Sequence, residues 1–265
     1  MRIVSLACSN TEIVHALGCG HLLVGVDDHS DWPVDLVTPL PKLGPDLDID
    51  VDRVAALEPD LVLATLTVPG HEKVVAKLEE AGLPFIAPEP VSIPDVYRDI
   101  HRIGDLLGVP DRAEALVAGM RTELGEGSAG HESLETDRPS ILIQWWPKPV
   151  ITPGRLSWAH EAVLRAGGRT PLGHEEVKSR PMTDEEVAEL APDAIVLSWC
   201  GVHPDKYRPD VVLGNPAFAD VPAIRNGQVH CIGEPFLGRP GPRLVEGVRA
   251  LRGVVESVAS GRAAP

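Results

Sequence analysis

A short segment of this chain occurs twice, and the two copies are half a chain apart. Residues 52–63 align without gaps on residues 185–196 at an offset of 133. Both copies contain an acid, Val-Ala, Leu and Pro-Asp, followed by an apolar stretch, which is the pattern of a helix leading into a buried strand. With one copy in each half of 265 residues, the sequence predicts two similar lobes.

Strand and helix patterns alternate within both halves, which is typical of a parallel sheet with helices on both faces. The predicted fold class is therefore α/β, with two Rossmann-like α/β lobes joined by one long backbone helix. Ligands of such sheets bind beyond the carboxyl ends of the strands, so we expect a ligand cleft between the lobes. The predicted parts are an N-terminal lobe over 1–93, a backbone helix over 94–124, an exposed linker over 125–138 and a C-terminal lobe over 139–265.

The predicted backbone segment contains two interruptions. Its apolar residues follow a helical period, but Gly104 and Val109-Pro110 fall within it. Glycine and proline both disfavour a helix interior. The pattern therefore fits either one long helix or two helices in line.

Charge and composition exclude several functions. The chain has 24 Lys and Arg against 39 Asp and Glu, a net charge of −15, which would repel nucleic acid and an anionic membrane surface. Apolar residues make up 43% of the chain, yet no apolar run is long enough to span a bilayer. The four cysteines form no C-x-x-C pair, and neither G-x-S-x-G nor a P-loop lysine motif occurs. We expect a binding protein rather than an enzyme.

The first residues bear on location. Leu6-Ala7-Cys8 is similar to a lipoprotein cleavage site, but only seven residues precede Cys8. A leader needs a charged region and an apolar stretch of about 7–15 residues. We therefore expect a cytoplasmic protein if Met1 is the natural start, and a periplasmic or extracellular one if a leader was removed.

Several stretches resemble one family of transport proteins. Residues 2–12, 24–26, 30–33 and 57–63 look like the cobalamin-binding proteins among the substrate-binding proteins of ABC importers, and residues 233–243 resemble the last pocket loop of that family. The resemblance implies reversible capture of a corrinoid or another metal chelate, such as heme or a ferric siderophore, without chemistry and with no required cofactor. It also implies an ABC permease as a possible partner.

The matched acids of the repeat are candidates for contact with that permease. Asp52 and Glu185 occupy positions where the resemblance implies an acid on each lobe that contacts permease arginines. The alternative is a helix N-terminal charge, which stabilises by about 0.3–1 kcal/mol without any partner. Both interpretations stay open.

The chain departs from the family pattern where ligand contacts are expected. His29, Asp46, Thr65 and Ser179 stand at positions where the family has aromatic residues, and Cys8 replaces a proline. These replacements allow a different substrate on the same architecture. The second hypothesis is accordingly a cytosolic relative that acts as a carrier, sensor or enzyme for an anionic planar ligand.

Tryptophans supply a possible stacking surface. Trp145 and Trp146 follow a predicted strand and Trp199 ends another, while successive strand residues point to opposite faces. At most one of the adjacent pair therefore enters the core, and the other can contact a planar ligand. The alternative is that these are ordinary buried aromatics. Trp32 is a weaker candidate.

Basic and metal-binding side chains complete the candidate site. Lys148, Arg180 and Arg239 lie in predicted loops of the second lobe and suit an anionic ligand, with solvated surface charge as the alternative. His29 or Cys200 could ligate the metal of a heme or corrinoid, but no H-x-x-x-H spacing indicates a metal site of the protein's own. The residues predicted to bind the ligand are His29, Trp32, Asp46, Thr65, Trp145, Trp146, Lys148, Ser179, Arg180, Trp199, Cys200, Glu234, Phe236 and Arg239.

Overall fold

The computed structural model describes residues 1–126 and 137–261. They form two compact units. Unit 1 comprises Met1–Pro90 and Pro94–Met120, and unit 2 comprises Val91–Ile93 and the chain from Arg121 onward. Within the described part of the chain, no helix is both long and apolar enough to cross a membrane.

Unit 1 contains one parallel sheet with the strand order β2-β1-β3-β4. Its core includes Val4, Val62, Val54 and Leu78, which belong to two of the strands and two of the helices. The apolar stretches predicted as strands therefore pair as expected. The elements of unit 1 before the connecting helices are β1 (Ile3–Ser5), α1 (Cys8–Ala16), β2 (Leu23–Val26), α2 (Val34–Val37), α3 (Val51–Ala56), β3 (Leu61–Leu63), α4 (His71–Glu80) and β4 (Phe85–Ile86).

Unit 2 contains two sheets. One is parallel with the order β10-β9-β5, and the other is antiparallel with the order β6-β7-β8. The sequence did not predict the antiparallel sheet, because its strands are short and interrupted by prolines. The elements are β5 (Ile141–Gln144), β6 (Trp146–Pro147), β7 (Val150–Pro153), α7 (Trp158–Arg165), β8 (Ser179–Met182), α8 (Asp184–Leu190), β9 (Ala194–Leu197), α9 (Pro209–Leu213), α10 (Pro222–Arg225), β10 (Val229–Cys231), α11 (Glu234–Leu237) and α12 (Leu244–Ser260).

The segment predicted as one long helix forms two helices, α5 (Ile93–Leu106) and α6 (Pro110–Glu123). Gly108 lies between them with φ +70°, a conformation that ends a helix and favours glycine. A Cβ built on Gly104 would lie 2.5 Å from the Cβ of Ala113, so the helices meet closely at a corner instead of running in line. Residues 127–136 of the predicted linker lie outside the described residues.

The internal repeat is reproduced in the backbone of both units. The N-caps of α3 and α8 are Asp50 and Thr183, again 133 residues apart, and each side chain accepts a backbone N–H of the first turn. After the helices, Glu58 and Ala191 have φ values of 45° and 44°, and they too are 133 apart. They are the only non-glycine residues with positive φ in the described chain, so the repeat extends to an unusual turn conformation.

The Pro-Asp of each copy joins the following strand to the first strand of its sheet. The Asp60 carboxylate accepts the backbone N–H of Arg2 at 2.6 Å, and Asp193 accepts that of Ser140 at 2.8 Å. In return, each aspartate donates its own backbone N–H to the carbonyl oxygen of the same residue at 2.8 Å. Because Arg2 and Ser140 precede β1 and β5, these contacts set the register of β3 on β1 and of β9 on β5.

Candidate ligand-binding surfaces

The strands of unit 1 are parallel, so the residues that follow them lie at one edge of the sheet. Cys8 begins α1 just beyond β1, Asp27 and His29 follow β2, and Thr65 follows β3. The Asp27 backbone N–H donates to the Ser5 carbonyl at 3.0 Å, which holds the segment after β2 against β1. This edge therefore brings together Cys8, His29 and Thr65, three of the positions at which the chain departs from the family pattern.

A buried polar network fixes the loop that carries His29. The Asp27 carboxylate accepts the Ser30 hydroxyl and, at 3.0 Å, the backbone N–H of His29. Thr11 on α1 bonds the Ser30 hydroxyl at 2.8 Å. Burial is the largest influence on Asp27 and raises its pKa, partly offset by these donors. A buried, hydrogen-bonded network of this kind makes the backbone of the loop rigid.

His29 and Asp46, both predicted from the altered family pattern, lie together, and His71 joins them. Asp46 Oδ1 is 3.8 Å from His29 Nε2 and Asp46 Oδ2 is 3.5 Å from His71 Nε2. The contact with His71 is the largest cause lowering the pKa of Asp46, because it favours the carboxylate. His29 and Asp46 are partly exposed, with 42% and 37% of their side chains accessible, whereas His71 is buried at 4%.

Two exposed apolar side chains adjoin this cluster. Leu47 follows Asp46 and reaches the start of α4, where a Cβ on Gly70 would lie 3.1 Å from its Cδ2. Val68 is also exposed, and its backbone N–H donates to His71. Sequence reasoning missed both, because a single apolar residue in a loop carries no periodic signal.

The other unit 1 candidates are placed differently. Thr65 is buried, and its hydroxyl bonds Thr67 and the Pro88 carbonyl at 3.2 and 3.3 Å, so it ties the turn after β3 to the chain after β4. The Trp32 ring packs edge-on against His15 in the last turn of α1, with centroids 4.9 Å apart. Trp32 therefore lies beside the far end of α1 instead of with His29 and Asp46.

In unit 2 the adjacent tryptophans separate as the strand alternation predicts. The Trp145 ring packs 6.0 Å from that of Trp158, while Trp146 begins β6 with 42% of its surface exposed. Trp146 pairs with Ile151, which pairs with Pro181. Directly paired residues share a face of a sheet, so these three side chains form one partly exposed apolar row.

The same register places the neighbouring candidates. Ser179 pairs with Pro153 and is on the face of the apolar row, whereas Arg180 pairs with buried Thr152 on the other face. Arg180 makes a bidentate contact with Glu175 at 2.8 and 3.0 Å and a further bond to Glu186 at 3.0 Å. Two carboxylates already pair with this guanidinium, so Arg180 has a structural role, and its contact with a ligand stays a prediction.

Trp199 is a core residue, and the prediction that it stacks on a ligand is corrected accordingly. It is buried, its indole N–H donates to Gln144 Oε1 at 3.0 Å, and its ring lies 5.4 Å from that of Tyr207. The Tyr207 hydroxyl donates to the Trp199 carbonyl at 3.4 Å and accepts the backbone N–H of Glu234 at 2.9 Å. Burial raises the pKa of Tyr207 to about 12.

The loop around α11 holds a buried ion pair and a cation–π contact. Arg239 Nε bonds Glu234 Oε2 at 3.0 Å, and both side chains are largely buried. The Arg243 guanidinium lies 4.7 Å above the Phe236 ring. Glu234 and Arg239 thus stabilise the loop, while Phe236 and Arg243 are partly accessible and combine a ring with a positive charge.

The remaining candidates lie at the surface. Lys148 is in the turn between β6 and β7, and Cys200 is exposed beyond β9, where its N–H donates to the Trp145 carbonyl at 3.1 Å. Asp52 and Glu185 are exposed at the same position in the first turns of α3 and α8. Among the residues that the structure describes, no three His, Cys, Asp or Glu side chains are grouped to hold a metal ion.

Two α/β units whose strands end in aromatic, apolar and hydrogen-bonding side chains are typical of proteins that bind small molecules beyond the strand ends. The chain belongs to the periplasmic binding protein family, whose model matches residues 3–235. The predicted family and the predicted α/β fold class are thereby confirmed.

Three individual proteins show what this chain is similar to within and around that family. The chain is 30% identical to an uncharacterized ABC transporter substrate-binding lipoprotein, YvrC of Bacillus subtilis, over 94% of this chain and 78% of that protein. It is 25% identical to the vitamin B12-binding protein of Vibrio parahaemolyticus, over 93% and 86%. The structure is similar to the apo form of the periplasmic heme-binding protein RhuT from Roseiflexus sp. RS-1, with a TM-score of 0.81, 27% identity and coverage of 97% and 98%. All three are binding proteins by name.

Proposed function

We propose that this chain is the substrate-binding protein of an ABC importer and captures a planar metal chelate, a corrinoid or a heme, without altering it. The names of the vitamin B12-binding and heme-binding relatives support the substrate class. The observation that carries the proposal is the partly exposed apolar row of Trp146, Ile151 and Pro181 on the small sheet. A flat, partly exposed indole gains free energy by stacking on a macrocycle.

Unit 2 also carries accessible positive charge. Arg243 is partly exposed over the Phe236 ring, and Lys148 is exposed in the turn after Trp146. Arginine on an aromatic face can contact a carboxylate through its fork of donors while the ring meets the apolar ligand. A planar ligand with carboxylate or phosphate side groups fits this combination better than a neutral one.

Titration of the purified protein with cobinamide, cyanocobalamin and ferric heme, followed by absorbance and calorimetry, tests the proposal. We expect one of these chelates to bind at micromolar concentration or tighter. Trp146→Ala should weaken that binding about tenfold, since a stacking contact is worth about 0.5–1.5 kcal/mol beyond the apolar area that it buries. The matched control is Leu213→Ala, which removes an exposed apolar side chain on α9 and should leave affinity unchanged. The proposal is wrong if none of the three chelates binds at tens of micromolar.

We propose that the importer's permease is the partner of the exposed acids at matched positions, Asp52 and Glu185. Each acid is the second residue after the N-cap of its helix, α3 or α8, and this matched position supports a paired contact. The lipoprotein relative supports a location outside the cytoplasm, where a permease could be reached. Reversal of both charges to Lys should abolish stimulation of the permease's ATPase in proteoliposomes. Glu79 and Glu189 are exposed in the last turns of α4 and α8, and reversal of their charges should leave stimulation of the ATPase unchanged. Equal effects of the two double reversals would refute the assignment.

A further inference from the structure

An aromatic ring and a positive charge lie face to face at the surface of unit 2. The Arg243 guanidinium is 4.7 Å from the centroid of the Phe236 ring, and both side chains are partly accessible. These two side chains form the Phe236–Arg243 pair. They come from different elements, since Phe236 lies on α11 and Arg243 is the N-cap of α12. Their mutual placement therefore depends on how α11 is held against α12.

Gly247 is a point at which α11 packs directly on α12. A Cβ built on Gly247 would overlap the carbonyl oxygen of Phe236 and lie 2.8 Å from Leu237 Cδ2, so α11 rests on the backbone of the longer helix. In the same turn, the N–H groups of Glu246 and Gly247 donate to the Arg243 carbonyl oxygen at 3.1 and 3.4 Å. One turn of α12 thus fixes the backbones of both members of the pair.

The packing of α11, and not the stability of α12, explains a glycine at position 247. Glycine disfavours a helix because it loses more conformational freedom on folding than any other residue, and Gly247 is buried in the first turn of α12. Gly253 on the same helix is exposed, and a Cβ there would meet no atom within 4 Å. A side chain at 253 would therefore displace nothing, whereas a side chain at 247 would displace α11.

Two buried side chains of unit 2 hold the first and last residues of α11. The Tyr207 hydroxyl accepts the backbone N–H of Glu234 at 2.9 Å. The Trp158 indole N–H donates to the Leu237 carbonyl oxygen at 2.8 Å, and both aromatic side chains are buried. The short helix is thus fixed at both ends and along the side that meets α12. A binding loop that is already ordered loses less conformational entropy when a ligand binds.

We infer that Gly247 and Tyr207 are positioning residues that hold the Phe236–Arg243 pair ready to receive a carboxylate of the ligand. The guanidinium offers a planar fork of donors, and the ring beside it keeps that fork in one orientation. The inference rests on the proposed function and narrows its substrate class to chelates that carry ionised carboxylates, as heme does. A shift of α11 would move the ring away from the guanidinium and weaken this recognition, although every group that contacts the ligand would still be present.

Ferric heme and its dimethyl ester measure this recognition, because the ester has the same ring and metal but no ionised carboxylate. In absorbance titrations of the full chain, wild-type protein should bind ferric heme at least about tenfold more tightly than the ester, as expected for hydrogen bonds between charged groups. Arg243→Gln and Gly247→Ala should each reduce this preference to about twofold or less. The double variant should lose no more than either single variant, because Gly247 acts through Arg243. Tyr207→Phe removes one hydroxyl group and should reduce the preference about threefold.

The matched control is Gly253→Ala, which adds the same methyl group to an exposed turn of α12 and should leave the preference unchanged. If Gly247→Ala does not fold, Tyr207→Phe decides by the same comparison of the two ligands. The inference is wrong, while the proposed function stands, if the folded variants at 207 and 247 weaken heme and ester equally or change neither affinity. The same conclusion follows if wild-type protein binds heme and ester equally or captures only a corrinoid. If wild-type protein binds neither porphyrin and no corrinoid, both the inference and the proposed function are wrong.

Discussion

Asp99 on α5 is predicted to make the protein less stable as pH rises. Its side chain is only 7% exposed, its Oδ2 is buried without a hydrogen bond among the described residues, and Arg98 Nε lies 3.8 Å from the other oxygen. Burial is the main cause that raises its pKa from the usual 3.8 to about 6, while nearby Arg98 and Arg102 oppose the rise. The folded protein therefore holds this proton more tightly than the unfolded chain.

The direction and the magnitude of this change in the free energy of unfolding follow from thermodynamic linkage. An acid with a raised pKa in the folded state favours folding when protonated, so its contribution is present below pH 4 and is lost as pH rises through about 6. A pKa difference of about 2 corresponds to about 3 kcal/mol. Arg98 is largely exposed, so water reaches part of this site and we expect about 1–2 kcal/mol.

Urea unfolding of wild-type and Asp99→Asn protein between pH 4 and pH 8, followed by circular dichroism, tests this. Near pH 7.5 the variant should have the higher free energy of unfolding by about 1–2 kcal/mol, and near pH 4 the two should differ by less than about 0.5 kcal/mol. Asp105→Asn, an exposed carboxylate on the same helix, should show no such pH-dependent difference. A difference between wild type and Asp99→Asn that is constant with pH, or a variant that is less stable at pH 7.5, would show that a raised pKa of Asp99 does not destabilise the folded protein.

Three further predictions concern the repeat and the ion pairs. Asp193→Ala should lower the free energy of unfolding by about 1–2 kcal/mol because the N–H of Ser140 loses its acceptor, and in a thermal melt a loss below 0.3 kcal/mol would contradict this. Ala191→Gly should raise it by about 0.5–1 kcal/mol, since glycine adopts positive φ without strain, whereas Ala188→Gly within α8 should lower it by about 1 kcal/mol. Arg180→Ala should cost about 1 kcal/mol at low salt and less at 1 M salt, and a salt-independent loss would show that packing, not charge, dominates.

The two-unit fold could be predicted because its signals are local and repeated. The copies at 52–63 and 185–196 each combine a capped helix, a turn and a buried strand, and these follow from short-range preferences. The sequence indicates only part of the corner between α5 and α6. Gly104 and Val109-Pro110 mark an interruption, but the close contact of Gly104 with Ala113 depends on how the two helices pack.

The candidate site was only partly predictable because position in sequence does not give direction in space. The alternation of strand residues correctly separates Trp145 from Trp146, but it cannot show that Trp199 enters the core beside Tyr207. The ion pairs of Arg180 could not be predicted, because Glu175 and Glu186 approach it only after β8 and α8 have formed. The contact of His71 with Asp46 could not be predicted, because it joins α4 to a loop that is distant in the sequence.

We propose that this protein captures a metal chelate and releases it unchanged. Native mass spectrometry of the protein purified from its own host tests this most directly. We predict a complex whose added mass is that of one intact tetrapyrrole, with the isotope pattern of its metal, that persists on incubation and is lost on unfolding. Protein recovered with no bound chelate that also fails to take one up would show that it is not a chelate-binding protein, and a bound mass that changes into a product during incubation would show that the ligand is not released unchanged.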